Sequence, residues 1–171
     1  MDENAYIKRA YEAILQHDFE RAIDWFEKAI EEEPDNASYH YRLSISCARS
    51  NKLAKAAHHA LRAYQLSPNT ETYLLHLNTI IARELLGKAE ELMRDAAPSS
   101  LDEACFVLKR ALQLNPLLIE AMVLLALVYE RLGKYNHAWQ VVQDARKLTP
   151  EHKELIQLHA RLSRRMHESI E

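Results

Sequence analysis

Apolar residues recur along this chain at three- and four-residue spacing, in blocks separated by short polar turns, so the elements it predicts are amphipathic helices. Tyr6, Ala10, Ala13 and Ile14 stripe a helix over Glu3–Gln16, and Ala22, Ile23, Phe26, Ala29 and Ile30 stripe one over Phe19–Glu32, with His17–Asp18 as the turn. Pro34 ends the pair, because the residue before a proline is pushed out of the helical region. A second pair spans Ala37–Ser50, with Leu43, Ile45 and Cys47, and Leu53–Leu66, with Ala56, Ala57, Ala60, Leu61 and Ala63. The third begins at Glu71 with Tyr73, Leu74, Leu77 and Ile81, and its stripe runs on through Leu85, Leu86, Ala89, Leu92 and Met93 to Ala97. Ser100-Leu-Asp-Glu103 has the form of a capping box opening a helix over Leu101–Leu114. The fourth pair is Ile119–Leu132 and Tyr135–Leu148, joined at Leu132-Gly133-Lys134, and a last helix over Glu151–Glu168 is apolar on one face only.

These blocks repeat. Pro34 and Pro68 lie 34 residues apart, as do Pro116 and Pro150, and the interval holds for Ala22 and Ala56, Ala29 and Ala63, Ala104 and Ala138, and Ala111 and Ala145. A period near this length signals a helical solenoid, in which each helix pair buries its apolar face only against its neighbours. Between the second and third copies the interval is 48, which inserts 14 residues, about four helical turns. Either the first helix of the third pair lengthens by ~20 Å, or Gly87 breaks it and a short extra helix follows. One long helix, bent at Gly87, is the preferred reading, since an interior glycine costs only about 1 kcal/mol. The expected architecture is all-α: a single solenoid domain over residues 1–171 with repeats at about 3–36, 37–70, 71–118 and 119–152, and a capping helix over 153–168.

Composition narrows the function. Two glycines and five prolines are too few turn-formers for a β-rich fold, and a net charge of −3 makes nucleic acid an improbable ligand. Cys47 and Cys105 stand alone on apolar faces, which fits a reducing compartment and inert thiols. With neither a signal peptide nor an apolar run of membrane-spanning length, the expectation is a soluble cytoplasmic protein with no membrane partner. The nine histidines have no metal-ligand spacing, and no glycine-rich phosphate loop, nucleophile elbow or paired-carboxylate motif occurs, so no metal, cofactor or enzymatic activity is expected.

The paired alanines of the second helices, the closing prolines, the first-helix leucines Leu43, Leu77 and Leu125 with the small Ser44 and Ala126 after two of them, and the aromatics Phe19 and Tyr135 opening second helices together resemble the tetratricopeptide repeat family over essentially the whole chain. Arg9, Asn78 and the insertion depart from its pattern. The resemblance implies a right-handed superhelix whose first helices line a concave groove that holds a peptide or helix of another protein. The lysine and asparagine clamp with which some members grip an acidic tail is not present: Ile7, Tyr11, Arg42, His76 and Ile80 occupy the matching places.

Helical spacing leaves Ile7, Tyr11, Tyr41, Ile45, Leu75, Thr79, Val123 and Leu127 on the free faces of first helices, where they would suit such a ligand or touch the neighbouring helix. Arg49, Arg83 and Arg131 recur near the ends of three first helices, with Arg42 on the same side of the second. They form a ladder for an acidic peptide or simply offset helix dipoles. Beyond the expected turn, Leu86, Leu92 and Met93 would project as an arm for a partner or a second copy, unless the following loop or the last helix covers them. The functional expectation is a non-catalytic protein–protein interaction module. Its alternatives are a self-assembling subunit using residues 85–97 and, less favoured, a helical-repeat RNA binder.

Overall fold

The computed structural model describes residues 3–95 and 97–168, apart from the side chains of residues 3, 4, 167 and 168. Among them are nine α-helices and no strand: α1 (Glu3–Leu15), α2 (Phe19–Glu32), α3 (Ala37–Arg49), α4 (Leu53–Leu66), α5 (Glu71–Arg94), α6 (Pro98–Leu114), α7 (Ile119–Arg131), α8 (Tyr135–Leu148) and α9 (Lys153–Glu168). The helix expected to end at Ala97 has Ala96 outside the described residues.

Three of the turns within helix pairs are the same device. His17, Asn51 and Gly133 hold φ of 58°, 59° and 71°, just past the ends of α1, α3 and α7. The N–H of the next residue reaches back to the helix: Asp18 to the Ala13 carbonyl at 2.9 Å, Lys52 to Cys47 and Lys134 to Tyr129 at 2.8 Å. The left-handed residues add bonds of their own to Ile14, Ala48 and Glu130, which completes a Schellman motif each time. Histidine, asparagine and glycine are among the residues that enter this backbone region most readily. One repeat length after Asn51 stands Leu85, a strong helix former with no such tolerance, and there α5 continues without a break, through Gly87, to Arg94.

The second helices close alike. The N–H groups of Glu33, Ser67, Asn115 and Thr149 donate to Ala29, Ala63, Ala111 and Ala145 at 2.9–3.1 Å, and a proline follows each. All eight repeat alanines, Ala22, Ala29, Ala56, Ala63, Ala104, Ala111, Ala138 and Ala145, are 0% exposed, so these are the sites of closest helix approach.

The chain divides into two compact units, Met1–Ile81 and Ala82–Glu171, with the boundary inside α5. In the first, Leu77 and Ile80 of α5 join a core of Ala10, Ala13, Ile23, Phe26, Leu43 and Cys47. A polar tie lies beside it. His40 Nε2 faces the Pro34 carbonyl at 2.9 Å and must donate to it, so His40 Nδ1 accepts from His59 Nδ1–H, also at 2.9 Å. In the second unit Ala82 and Ala89 of α5 pack with Leu101, Leu108, Leu125, Val128, Val142 and Leu162. Both cysteines are free and buried, and burial pushes the Cys47 thiol up to about 11.

One expectation is corrected. The helix after the insertion opens at Pro98, not Leu101, and the capping box does not form. Proline supplies a preset first helical position, and Asp95 closes the corner instead, accepting from the Ala97 N–H at 3.2 Å and the Ser100 hydroxyl at 2.7 Å. Glu103 is left to pair with Lys88 of α5 at 3.3 Å. Of the two readings of Leu86, Leu92 and Met93, a projecting arm or a covered stripe, their packing agrees with the second. All three are half-buried and pack against the second unit's core, which includes Leu101, Ala104, Val107 and Leu108 of α6.

Candidate functional site

In the first unit the expected groove residues form a strip of aromatic and polar side chains on α1, α3 and the first half of α5. The Tyr11 ring meets Phe26 edge-on at 6.1 Å, and the Arg42 guanidinium lies over the Tyr11 ring, 5.1 Å from its centre. Arg42 is fixed further by donating to Ser38 Oγ at 3.0 Å. Tyr41 sits between Tyr73 at 4.9 Å and His76 at 5.1 Å. His76 is held by the buried Ser44 hydroxyl at 2.8 Å, which donates in turn to the Ala56 carbonyl at 2.7 Å, and burial lowers the imidazole's pKa. Serine's hydroxyl proton is committed to Ala56, so His76 Nε2–H is the donor to Ser44.

The strip's most accessible apolar group is Leu75, 57% exposed, followed by Tyr11 at 36%. Thr79 donates back to the Leu75 carbonyl at 2.9 Å, and Ile45 is half-buried. Ile7 packs against the core rather than facing open space. Arg49 is exposed, with its guanidinium 5.9 Å from the Phe19 ring that opens α2. Tyr73 and His76 were not singled out with the groove by spacing alone. Their roles come from contacts with Tyr41 on a different helix.

In the second unit Val123 departs from expectation. It is 6% exposed and clusters with Ala145 and Leu155, because α9 lies over that end of α7; Leu127 is half-buried beside it. Arg83 is half-buried in the middle of α5, not at a helix end, since the helix continues past it. Arg131 ends α7 as expected, and its Nη1 donates to the Met93 carbonyl at 2.9 Å. It borders an open depression of about 690 Å³, lined also by Glu90, Met93, Arg94, Leu101 and Leu124. Neither Arg94 nor Leu124 was legible as a site residue, because the depression is lined jointly by α5, α6 and α7.

No group of three or more metal-ligating side chains occurs among the described residues, and no described helix is long and apolar enough to cross a membrane.

Residues 7–149 match the family described as the cilia and flagella-associated protein 70 middle TPR-like domain. No curated protein matches the chain. Among solved structures, MamA from Desulfovibrio magneticus RS-1 is similar at 17% identity over 98% of this chain and 87% of that one, with a TM-score of 0.58. YrrB, described as a TPR protein with an unusual peptide-binding site, is similar at 18% identity over 91% of this chain and 73% of that one, with a TM-score of 0.54. At such identities these likenesses establish the fold: an all-α tetratricopeptide-type solenoid.

Proposed function

Because this chain belongs to the family of the cilia and flagella-associated protein 70 middle TPR-like domain, we propose that it is a non-catalytic interaction module that holds a helix or extended segment of another protein on the faces of its first helices. The observation that carries this reading is the apolar surface on those faces: Leu75 and Tyr11 in the first unit, and Met93 and Leu124 beside the open depression in the second. Apolar surface left uncovered in this way is where a partner gains most from association. The peptide-binding description of YrrB, a structural neighbour, agrees with it.

The chemistry of the surface favours binding over turnover. The Tyr41 ring packs on Tyr73 and His76, and Ser44 holds His76 by a hydrogen bond while giving its own proton to the Ala56 carbonyl. Such a network is a rigid platform against which a ligand packs without ordering the platform first. A cytoplasmic location belongs to the same proposal.

The test is affinity capture with the full chain beside two variants. Leu75→Asp alters a first-helix face, and Phe106→Asp alters α6 at a side chain 73% exposed. The expected result is a partner lost with Leu75→Asp and kept with Phe106→Asp. Identical captures with both, while circular dichroism shows both folded, would remove the first-helix face as the binding surface.

A further inference from the structure

The second unit carries a cleft whose charge runs against that of the whole chain, which is −3. The depression beside Arg131 shares Leu124 with a second hollow that reaches Leu127 and Leu158, and this one shares Gln157 and Arg161 with a third hollow along α9. Through these shared residues the three hollows adjoin one another along the second half of α5, α7 and α9, and together they are treated as one cleft. Its floor is aliphatic: Met93, Leu124, Leu127 and Leu158. Its walls carry Arg94, Arg131, Arg161, Arg164 and Arg165, against the two carboxylates Glu90 and Glu154.

These arginines are not equivalent. Arg161 grips Glu130 with two bonds of 2.8 and 2.7 Å, so its charge is answered within the protein and it serves as a fixed wall. Arg131 spends one donor on the Met93 carbonyl, which is neutral, so the guanidinium is positioned while its charge and remaining N–H groups stay available. Arg94 and Arg164 are exposed. Arginine suits carboxylate recognition because its planar fork matches two oxygens at once.

We propose that this cleft takes an acidic amphipathic segment of a partner protein. Its apolar residues seat on Met93, Leu124 and Leu127, and its carboxylates meet Arg94, Arg131 and Arg164. The inference rests on the proposed function above and adds the chemistry of the partner. A polynucleotide fits less well: no aromatic side chain lines the cleft, so unstacked bases find no platform, and the chain's overall negative charge opposes a long polyanion.

The test uses fluorescein-labelled peptides roughly 14 residues long, about 20 Å as a helix. One has leucines at helical spacing with glutamates between them, one replaces every glutamate by lysine, and one keeps the glutamates without leucines. Each is titrated into the full chain by fluorescence anisotropy, with single-stranded oligouridylate as competitor. The Glu–Leu peptide should bind saturably. Its affinity should fall about tenfold in the Arg94→Glu/Arg164→Glu double variant, and less in high salt, where exposed charges are already screened. Both positions are exposed, so the fold should survive, which circular dichroism checks. Equal binding of the leucine-free peptide, equal competition by oligouridylate, or unchanged affinity after charge reversal would overturn the inference. Binding of the Lys–Leu peptide alone would overturn it and leave the groove reading standing. No binding by any peptide overturns it too, and only the Leu75→Asp capture result then decides whether the groove reading falls with it.

Discussion

The two glycines of this chain should respond to the same substitution with opposite signs. Gly87 lies inside α5, and a Cβ built on it meets nothing within 4 Å. Gly87→Ala therefore adds no clash, raises helix propensity and removes freedom from the unfolded chain. The helix scale gives a gain of about 0.8–1 kcal/mol, and the entropy route alone about 0.4–1 kcal/mol. A net stabilisation of roughly 0.5–1 kcal/mol is expected. Gly133 also has open space around it, but its φ is +71°. An L-residue pays about 1–2 kcal/mol to hold that conformation, and reduced freedom of the unfolded chain returns about half a kcal/mol. Gly133→Ala should therefore destabilise by roughly 0.5–1.5 kcal/mol.

Thermal melts of the full chain followed by circular dichroism read both signs, because a change of 1 kcal/mol moves the thermal midpoint of a chain this size by about 2–4 °C. Repeat stacks can unfold in parts, so amide exchange within α5 should accompany the melt: protection there should rise in Gly87→Ala. His17→Gly and Asn51→Gly serve as the converse, since both residues hold φ near +60° and each should gain stability. A destabilising Gly87→Ala would refute the reasoning. It would mean that α5 is broken in solution and that Gly87 serves the break.

Three further outcomes follow from the packing and the polar ties. Ala104→Leu forces extra carbons into a site with 0% exposure and should cost about 1–3 kcal/mol, read by chemical denaturation; a smaller loss would mean the α5–α6–α7 contact has slack. Asp95→Ala removes the acceptor for Ala97 N–H and Ser100 Oγ, so amide exchange should quicken in the first turn of α6 while the global melting temperature barely moves. The His59 imidazole is pushed down to about 4 by burial and by its neighbours His40 and His58. Folded, it binds its proton less readily than when unfolded near 6.5, so stability is full above that value, falls as the pH drops from about 6.5 to 4, and levels below. Because the ring is only partly buried the loss should be limited to about 1–2 kcal/mol. His59→Gln should flatten the slope, and an unchanged slope would place the titration elsewhere.

Helix type and order were legible because the apolar spacing agrees with the 34-residue interval on both sides of the insertion. The eight alanines are a case in point. Small residues at fixed places in second helices announce close approach before any coordinate does, and all eight are fully buried. The continuity of α5 was also within reach of the sequence, in the replacement of a left-handed turn residue by Leu85. What one helix's periodicity cannot contain is how a second helix covers it. Val123 reads as free because its own helix leaves it free, and Leu155 of α9 then packs against it; for Leu86 the sequence leaves open whether anything covers it, and a core that includes α6 does.

The same limit explains why the arginines divide as they do. Spacing grouped Arg49, Arg83 and Arg131 as equivalents, yet each charge meets a different setting: an aromatic ring for Arg49, a mid-helix site for Arg83, a carbonyl at the rim of an open depression for Arg131. Only Arg131 combines a fixed position with an apolar floor beside it. The charged face of α9, which reads in sequence as a solvated cap, brings Arg161 and Arg164 to the same cleft. A surface that caps a stack must show charge to water, and where that charge is mostly positive beside aliphatic carbon, it also selects what can dock there. The cap and the binding wall are then one surface, so reversing Arg164 should change what binds without changing whether the chain folds.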